Sequence, residues 1–306
     1  MARHLISLES IRKDEVIKLL KLAKRIKTRS AVYHQKLKGK KLLMLFAKPS
    51  LRTRLSFEIA MYELGGMAIF YDIANSPLGK KESVKDEAKV ASKYVDAIIA
   101  RLYSHDDMLE LAKYAEVPVI NGLDNYEHPC QVLSDLFTMK EKLKQLDGLT
   151  LTYLGDANNN VTNSLLYACP KMGINLIICC PKHKKFLPSE DVVDRADDFA
   201  KNSLIKIEYD PLKAVRKADV VYTDSWMSYH IPESQKEKRL KILKPYQVNK
   251  KLMKEARRGA IFMHCLPAKR GEEVTDEVID GKQSVVFEQA FNRLVVEKAI
   301  LIKLLK

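Results

Sequence analysis

The chain has 306 residues, 46% hydrophobic and 30% charged, with 53 Lys and Arg against 39 Asp and Glu and a formal charge of +14. That length suffices for two ordinary domains, and the balance is that of a soluble globular protein. No run of about 18 uncharged apolar residues occurs, which argues against a helical membrane span.

The opening MARHLISLES lacks the apolar centre of a secretory signal. Five cysteines (Cys130, Cys169, Cys179, Cys180, Cys265) form no C-x-x-C pair and read as reduced thiols, so a cytoplasmic protein is expected. The basic excess raises nucleic acid as a ligand. The lysines are dispersed, however, with modest clusters at CPKHKKF and KEKRLKILK and no aromatic residues interleaved. Small anions are the more economical partner, and neither nucleic acid nor membrane is expected.

In chain order, ESIRKDEVIKLLKLAKRIKTR places Ile11, Val16, Leu19, Leu20 and Ala23 roughly on one face, an amphipathic helix. KKLLMLF reads as a buried strand. LSFEIAMYELGG spaces Phe57, Ala60, Met61 and Leu64 as a helix that Gly65 and Gly66 end. MAIFYD, DAIIARLY and VPVING are strands; ESVKDEAKVASKY and HDDMLELAKYA are the helices between them. HPCQVLSDLFTMKEKL is a long helix with Pro129 near its start, where proline is tolerated. Alternation then resumes: LTLTYLGDANNN, VTNSLLYACPKMG, and the strands INLIICCP, DVVYTDSW, GAIFMHCLP and SVVFEQ. NRLVVEKAILIKLLK closes the chain as a helix. The expected fold is α/β, two doubly wound parallel-sheet domains linked by long helices. The boundaries expected are 1–146, with the helix 290–306 packing back on it, and 147–289.

In open parallel sheets ligands bind beyond the carboxyl ends of the strands. The unusual polar residues fall there repeatedly: Ser50, Arg52 and Thr53; Arg101; His128 and Gln131; Asn160; Asp224; His264 and Cys265; and Arg293 after SVVFEQ. Such repetition predicts a cleft shared between two sheets. KPSLRTR (48–54) combines a helix start, two hydroxyls and two guanidinium forks, which suits phosphate oxygens. A helix cap with solvated arginines is the plainer alternative. Neither G-x-x-x-x-G-K-[ST] nor G-x-G-x-x-G is present, so a small phosphorylated substrate is favoured over a nucleotide.

SLRTR, HPCQ, DSW, HCLP and NRL stand in the order and spacing of the carbamoyltransferases. YVDAIIARLY, VPVINGL, YQVN and RGEEVTDEVIDG extend the match over nearly the whole chain. The sequence therefore resembles the aspartate/ornithine carbamoyltransferase family, and its HCLP…RGEEVT and D-x-W-x-S forms resemble the ornithine branch. The resemblance implies carbamoyl phosphate in the first domain and L-ornithine in the second. It also implies a homotrimer with active sites at subunit contacts, and neither cofactor nor metal. It assigns Ser50, Leu51 (through its N–H), Arg52, Thr53, Arg101 and Arg293 to the phosphate. Arg101, His128 and Thr53 go to the carbamoyl oxygen, and Gln131 with the main chain of Cys265 and Leu266 to the carbamoyl nitrogen. Asn160, Asp224, Ser228 and Tyr229 are implied to hold ornithine, with Asp224 and Cys265 on its reacting amine, Cys265 as a thiolate favoured by a basic cleft.

Four departures from the family pattern stand out. Leu51 replaces a threonine, Tyr229-His230 replace M-G, and Phe291 replaces a glutamate. Pro77 stands where a glutamine commonly reaches the neighbouring subunit's carbamoyl phosphate, and Lys80 or Lys81 offers a cationic substitute. A transferase with another amine acceptor and a weakened relative kept as a binding protein are the competing readings.

Overall fold

The computed structural model describes residues 4–73, 82–227 and 231–306. The chain divides into two compact units, residues 1–137 with 291–306 and residues 138–290.

In the first unit, helix α1 (Lys13–Thr28) buries Val16, Leu19, Leu20, Ala23 and Ile26 along one stripe. Four parallel strands follow, β1 (Lys41–Phe46), β2 (Met67–Asp72), β3 (Ala97–Arg101) and β4 (Val119–Leu123), in the spatial order β2-β1-β3-β4. Helices α2 (Leu51–Glu63), α3 (Val84–Tyr94) and α4 (His105–Tyr114) connect them. Each of the three starts on a serine, Ser50, Ser83 or Ser104, whose hydroxyl accepts a main-chain N–H of the first turn. All five residues of β3 are buried, as a central parallel strand of AIIAR composition should be. Helix α5 (Pro129–Leu143) has Pro129 at its first position, where no N–H is needed.

The second unit holds β5 (Thr150–Leu154), β6 (Asn175–Cys179), β7 (Ile205–Glu208), β8 (Val220–Thr223) and β9 (Ile261–His264). These lie parallel in the order β7-β6-β5-β8-β9. Its helices are α6 (Asn160–Lys171), α7 (Glu190–Asp197), α8 (Pro211–Val215), α9 (Lys236–Leu243), α10 (Lys250–Glu255) and α11 (Asp276–Ile279). Helix α12 (Val286–Leu305) begins in this unit and ends in the first. The apolar core under β5, β8 and β9 gathers Leu154, Val221, Phe262, Val248 and Val286. Each such fully buried Leu or Val is worth about 1.5–3 kcal/mol. Gly155, at the end of β5, has φ +119°, and a Cβ there would stand 2.7 Å from Trp226 Nε1, so only glycine lets the indole close over this strand.

Two sequence expectations fail. SVVFEQ is not a strand: pairing stops at the single bridge Phe262–Ser284, and Val286 already opens α12. Gln289 explains the winding, since from the helix its side chain reaches the His264 N–H at 3.0 Å and the Tyr222 hydroxyl at 3.3 Å, satisfying buried groups. Strand β7, IKIE, was not anticipated. It is a short edge strand whose Lys206 and Glu208 pair with each other at 3.0 Å, and four residues are too few for alternation to stand out.

Candidate active site

Both sheets have a point where the strand order reverses. In the first unit β1 is followed by β2 on one side and by β3 on the other, so the reversal lies between β1 and β3. At their carboxyl ends, where Phe46 pairs with Arg101, Ser50 caps α2 and Arg101 ends its strand. In the second unit the reversal lies between β5 and β8, where Leu154 pairs with Thr223. Crevices at such points are where open α/β sheets take ligands.

In the first unit the groups converge on one buried hydroxyl. Thr53 Oγ1 accepts from Ser50 Oγ (3.1 Å), Arg101 Nη1 (3.4 Å) and Arg293 Nη2 (3.0 Å). Arg293 also donates through Nη1 to Gln131 Oε1 at 3.3 Å, and Gln131 donates to Asp135 at 2.8 Å. Glu297, one turn along α12, takes Nε and Nη2 of Arg293 at 3.1 and 2.7 Å. Leu51 is exposed in the first turn of α2, and Arg52 is half-buried beside it. Helix start, hydroxyls and two buried guanidinium groups together make an anion site with planar donor forks.

His128 is buried beside these cations. Burial holds its imidazole well below the usual range, and the charges of Arg293, Arg101, Arg52 and Lys48 add to the effect. At neutral pH it is therefore an uncharged N–H donor. Lys48, nearly buried, is lowered to about 8 by burial and by Arg101, against the pull of Asp124. Its Nζ donates to Asn125 Oδ1 at 2.5 Å and lies 4.5 Å over the Tyr103 ring. Nothing in the sequence pattern singled out Lys48, Glu297 or Asp135.

In the second unit Cys265 Sγ donates to Asp224 Oδ1 at 2.9 Å, and the Ser225 N–H reaches the same oxygen at 2.7 Å. The sulfur expected as a thiolate has a carboxylate as one hydrogen-bond partner in this unit. Leu266 has φ +58°, outside the range a leucine prefers. Its N–H donates to His264 Nδ1 at 2.9 Å, which leaves the proton on Nε2, 3.3 Å from Glu273 Oε1. Asp224, His264 and Cys265 bring ligand atoms within 4.8 Å of one another, a spacing a metal ion would accept. Both ring nitrogens of His264 are already engaged in the turn, so the trio fits that ion poorly.

Asn160 is the first residue of α6, and its neighbour Asn159 caps the helix on Thr162 at 2.9 Å. Asp156 pairs with Arg239, which also donates to Trp226 O at 3.2 Å; both side chains are buried, and the pattern gave no sign of this pair. Ser228, Tyr229 and His230, and likewise Pro77, Lys80 and Lys81, lie outside the described residues.

Two parallel α/β units, one gathering hydroxyls and buried guanidinium groups at a helix start and one holding a thiol–carboxylate pair, have the make-up of a group-transfer enzyme. Residues 3–141 match the aspartate/ornithine carbamoyltransferase carbamoyl-P binding domain, and residues 147–304 match the Asp/Orn binding domain of the same family. The chain belongs to the aspartate/ornithine carbamoyltransferase family. It is 49% identical over 296 residues to the ornithine carbamoyltransferase of Methanobrevibacter smithii, covering 96% of this chain and 97% of that one. With that of Archaeoglobus fulgidus the identity is 45% over 305 residues, 99% and 97% of the two chains. The solved structure of ornithine carbamoyltransferase from Pyrococcus furiosus superposes with a TM-score of 0.94 at 46% identity, covering 98% of this chain and 96% of that one.

Proposed function

We propose that this chain transfers the carbamoyl group of carbamoyl phosphate to the δ-amine of L-ornithine, giving L-citrulline and phosphate, in arginine metabolism. The observation that carries the reading is the convergence of Ser50, Arg101 and Arg293 on Thr53, beside an uncharged His128. The names of the relatives, at 45–49% identity, support ornithine as the acceptor.

In the proposed reaction the amine nitrogen attacks the carbamoyl carbon and the carbonyl oxygen takes up negative charge. The tetrahedral intermediate then collapses, the C–O bond to phosphate breaks with its electron pair on phosphate, and the nitrogen loses a proton. Ser50, the Leu51 N–H, Arg52, Thr53, Arg101 and Arg293 hold the phosphate. Arg101, His128 and Thr53 face the developing oxyanion, where a neutral imidazole donates a hydrogen bond without itself needing a proton. Gln131, with the main chain of Cys265 and Leu266, holds the carbamoyl nitrogen. Asn160, Asp224, Ser228 and Tyr229 bind ornithine, with Asp224 and Cys265 on the attacking amine. Placing the two substrates in attack geometry supplies about 7–11 kcal/mol of the barrier.

The test is product formation from carbamoyl phosphate with a panel of amines: ornithine, putrescine, an N-acylated ornithine and aspartate. Citrulline at a rate well above the other products is the expected result. Preference for another amine would transfer the reading to that acceptor, and no product with any amine would sink it.

We also infer a cytoplasmic homotrimer. None of the five cysteines forms a disulfide, and no helix among the described residues is long and apolar enough to cross a membrane. Support for assembly comes from apolar side chains left exposed on α2 (Leu55, Ile59, Tyr62) and on the edge strand β2 beside it (Met67, Ile69, Tyr71). Two adjoining apolar rows of this kind mark a protein interface. Ile59→Glu is expected to convert the trimer to monomers in sedimentation velocity at micromolar concentration. An unchanged trimer would place the contact elsewhere.

A further inference from the structure

We propose that His105, the first residue of α4, is a positioning residue for His128: its imidazole holds Asp124, and Asp124 shapes the turn that presents His128. The inference rests on the carbamoyl-transfer reading above.

Asp124 follows β4 and is fully buried. Four donors meet on its carboxylate. Oδ2 takes Nδ1 of His105 at 2.7 Å and Nδ2 of Asn121 at 2.8 Å. Oδ1 takes the N–H groups of Tyr126 (2.8 Å) and Glu127 (2.7 Å). The Asp124 N–H returns to the Glu127 carbonyl at 3.0 Å, which closes the turn on itself. His128 is the next residue, and its carbonyl accepts the first N–H groups of α5, from Gln131 and Val132. The main chain of His128 is thus held on one side by α5 and on the other by the Asp124 turn. Two further tethers hold the turn: Lys48 on Asn125 and the Leu8 N–H on Glu127 Oε2 at 3.0 Å.

His105 is the member of this network that acts from a separate helix and carries an imidazole that can gain or lose a proton. Its ring lies 4.6 Å from that of Tyr126, tilted by 42°, and Asp124, Glu127 and Asp106 are the acidic groups around it. Burial opposes its charge, but the hydrogen bond and the charge of Asp124, helped by Glu127 and Asp106, outweigh burial and raise its pKa above 6.5. The ion pair is therefore complete below about pH 6.5 and is lost as pH rises through the raised folded-state value. His128 loses its own proton well below that range. Any pH-dependent change at the His128 ring on the alkaline side of neutrality must come from a neighbour. Among the described residues His105 and Lys48 qualify, the latter facing Arg101 and Asp124.

The plainer alternative is a hydrogen bond that steadies the start of α4 and goes no further. NMR of the full-length protein with labelled histidine rings separates the two. In the wild type between pH 6.5 and 9.5 the His128 ring signals should shift with the same midpoint as those of His105. In His105→Gln, which keeps a donor for Asp124 but does not titrate, that shift should vanish while kcat at pH 7 stays within about threefold. His105→Leu, which removes the donor, should lower kcat roughly 10- to 100-fold, as for a catalytic group displaced by about an ångström. A His128 signal indifferent to the ionisation of His105 would overturn the proposal. So would the same curve surviving in His105→Gln, which would assign it to Lys48. The wild-type and Gln curves decide the matter even where His105→Leu fails to fold. Absence of citrulline formation by the wild type would instead sink the carbamoyl-transfer reading, and the ring signals would still report the coupling.

Discussion

Replacing His128 by Ala, or Arg101 by Leu, should each lower turnover roughly 10²–10³-fold, the loss found when one donor to a developing oxyanion is removed. The two variants should differ in binding. Arg101 Nη1 reaches Thr53 in the anion site, so Arg101→Leu should also weaken carbamoyl phosphate, whereas His128→Ala should leave its affinity close to the wild-type value. Steady-state kinetics, with calorimetry of a phosphonate analogue of carbamoyl phosphate, measures both. Near-normal turnover in both variants would remove the pair from the reaction.

The lowered pKa of His128 adds a test of sign. The imidazole is neutral in the fold at pH values where the unfolded chain, with an ordinary pKa near 6.5, takes up a proton. The unfolded state binds more protons, so stability should fall as pH drops below about 6.5. Turnover should carry no limb from His128 between pH 6 and 7. A limb near pH 6.5 that disappears in His128→Gln would show that the ring titrates normally.

Arg239→Met should destabilise the second unit by about 3–5 kcal/mol, because it leaves Asp156 charged and unpaired in a buried site. Asp156 and Arg239 are both almost inaccessible, and Phe186 lies 4.8 Å from the guanidinium. At about 2–4 °C per kcal/mol for a unit of this size, the melting temperature should drop by roughly 6–20 °C. Burial already pushes the Asp156 carboxyl up to about 6, against the pull of Arg239. Without the arginine the cheapest escape is protonation, so the deficit should shrink as pH falls and grow above pH 6. The double variant Asp156→Leu/Arg239→Met should recover most of the loss, since an apolar pair of similar volume is often neutral. Thermal melting of the three proteins decides it: a single variant within 1 kcal/mol of wild type, on the order of the surface-pair range, would show that the pair contributes little. Because Arg239 also holds the Trp226 carbonyl, two residues beyond Asp224, a rise in KM for ornithine should accompany the lost stability.

Much of the candidate site was legible because a strand end is a local signal. An apolar run that stops at Ser50, Arg101, Asn160, Asp224 or Cys265 marks both the strand and the ligand end of its sheet. The resemblance then supplied roles for those residues. What lies beside Cys265 was not legible: net charge is a property of the whole chain, and the hydrogen bond of the sulfur to the Asp224 carboxylate at 2.9 Å joins residues 41 positions apart.

The sequence by itself determined the alternation of strands and helices, the serine caps of α2, α3 and α4, and the order in which polar groups leave the sheets. Those depend on neighbours within a few residues, where periodicity and capping act. Only the tertiary structure decided what depends on distant partners. The run SVVFEQ has the residues of a strand but winds into α12, because Gln289 serves buried groups of β8 and β9 from a helix. Arg293 meets Thr53 across 240 positions, and Arg239 meets Asp156 across 83. A buried charge is stable only beside its partner, and folding, not local pattern, brings the partner there.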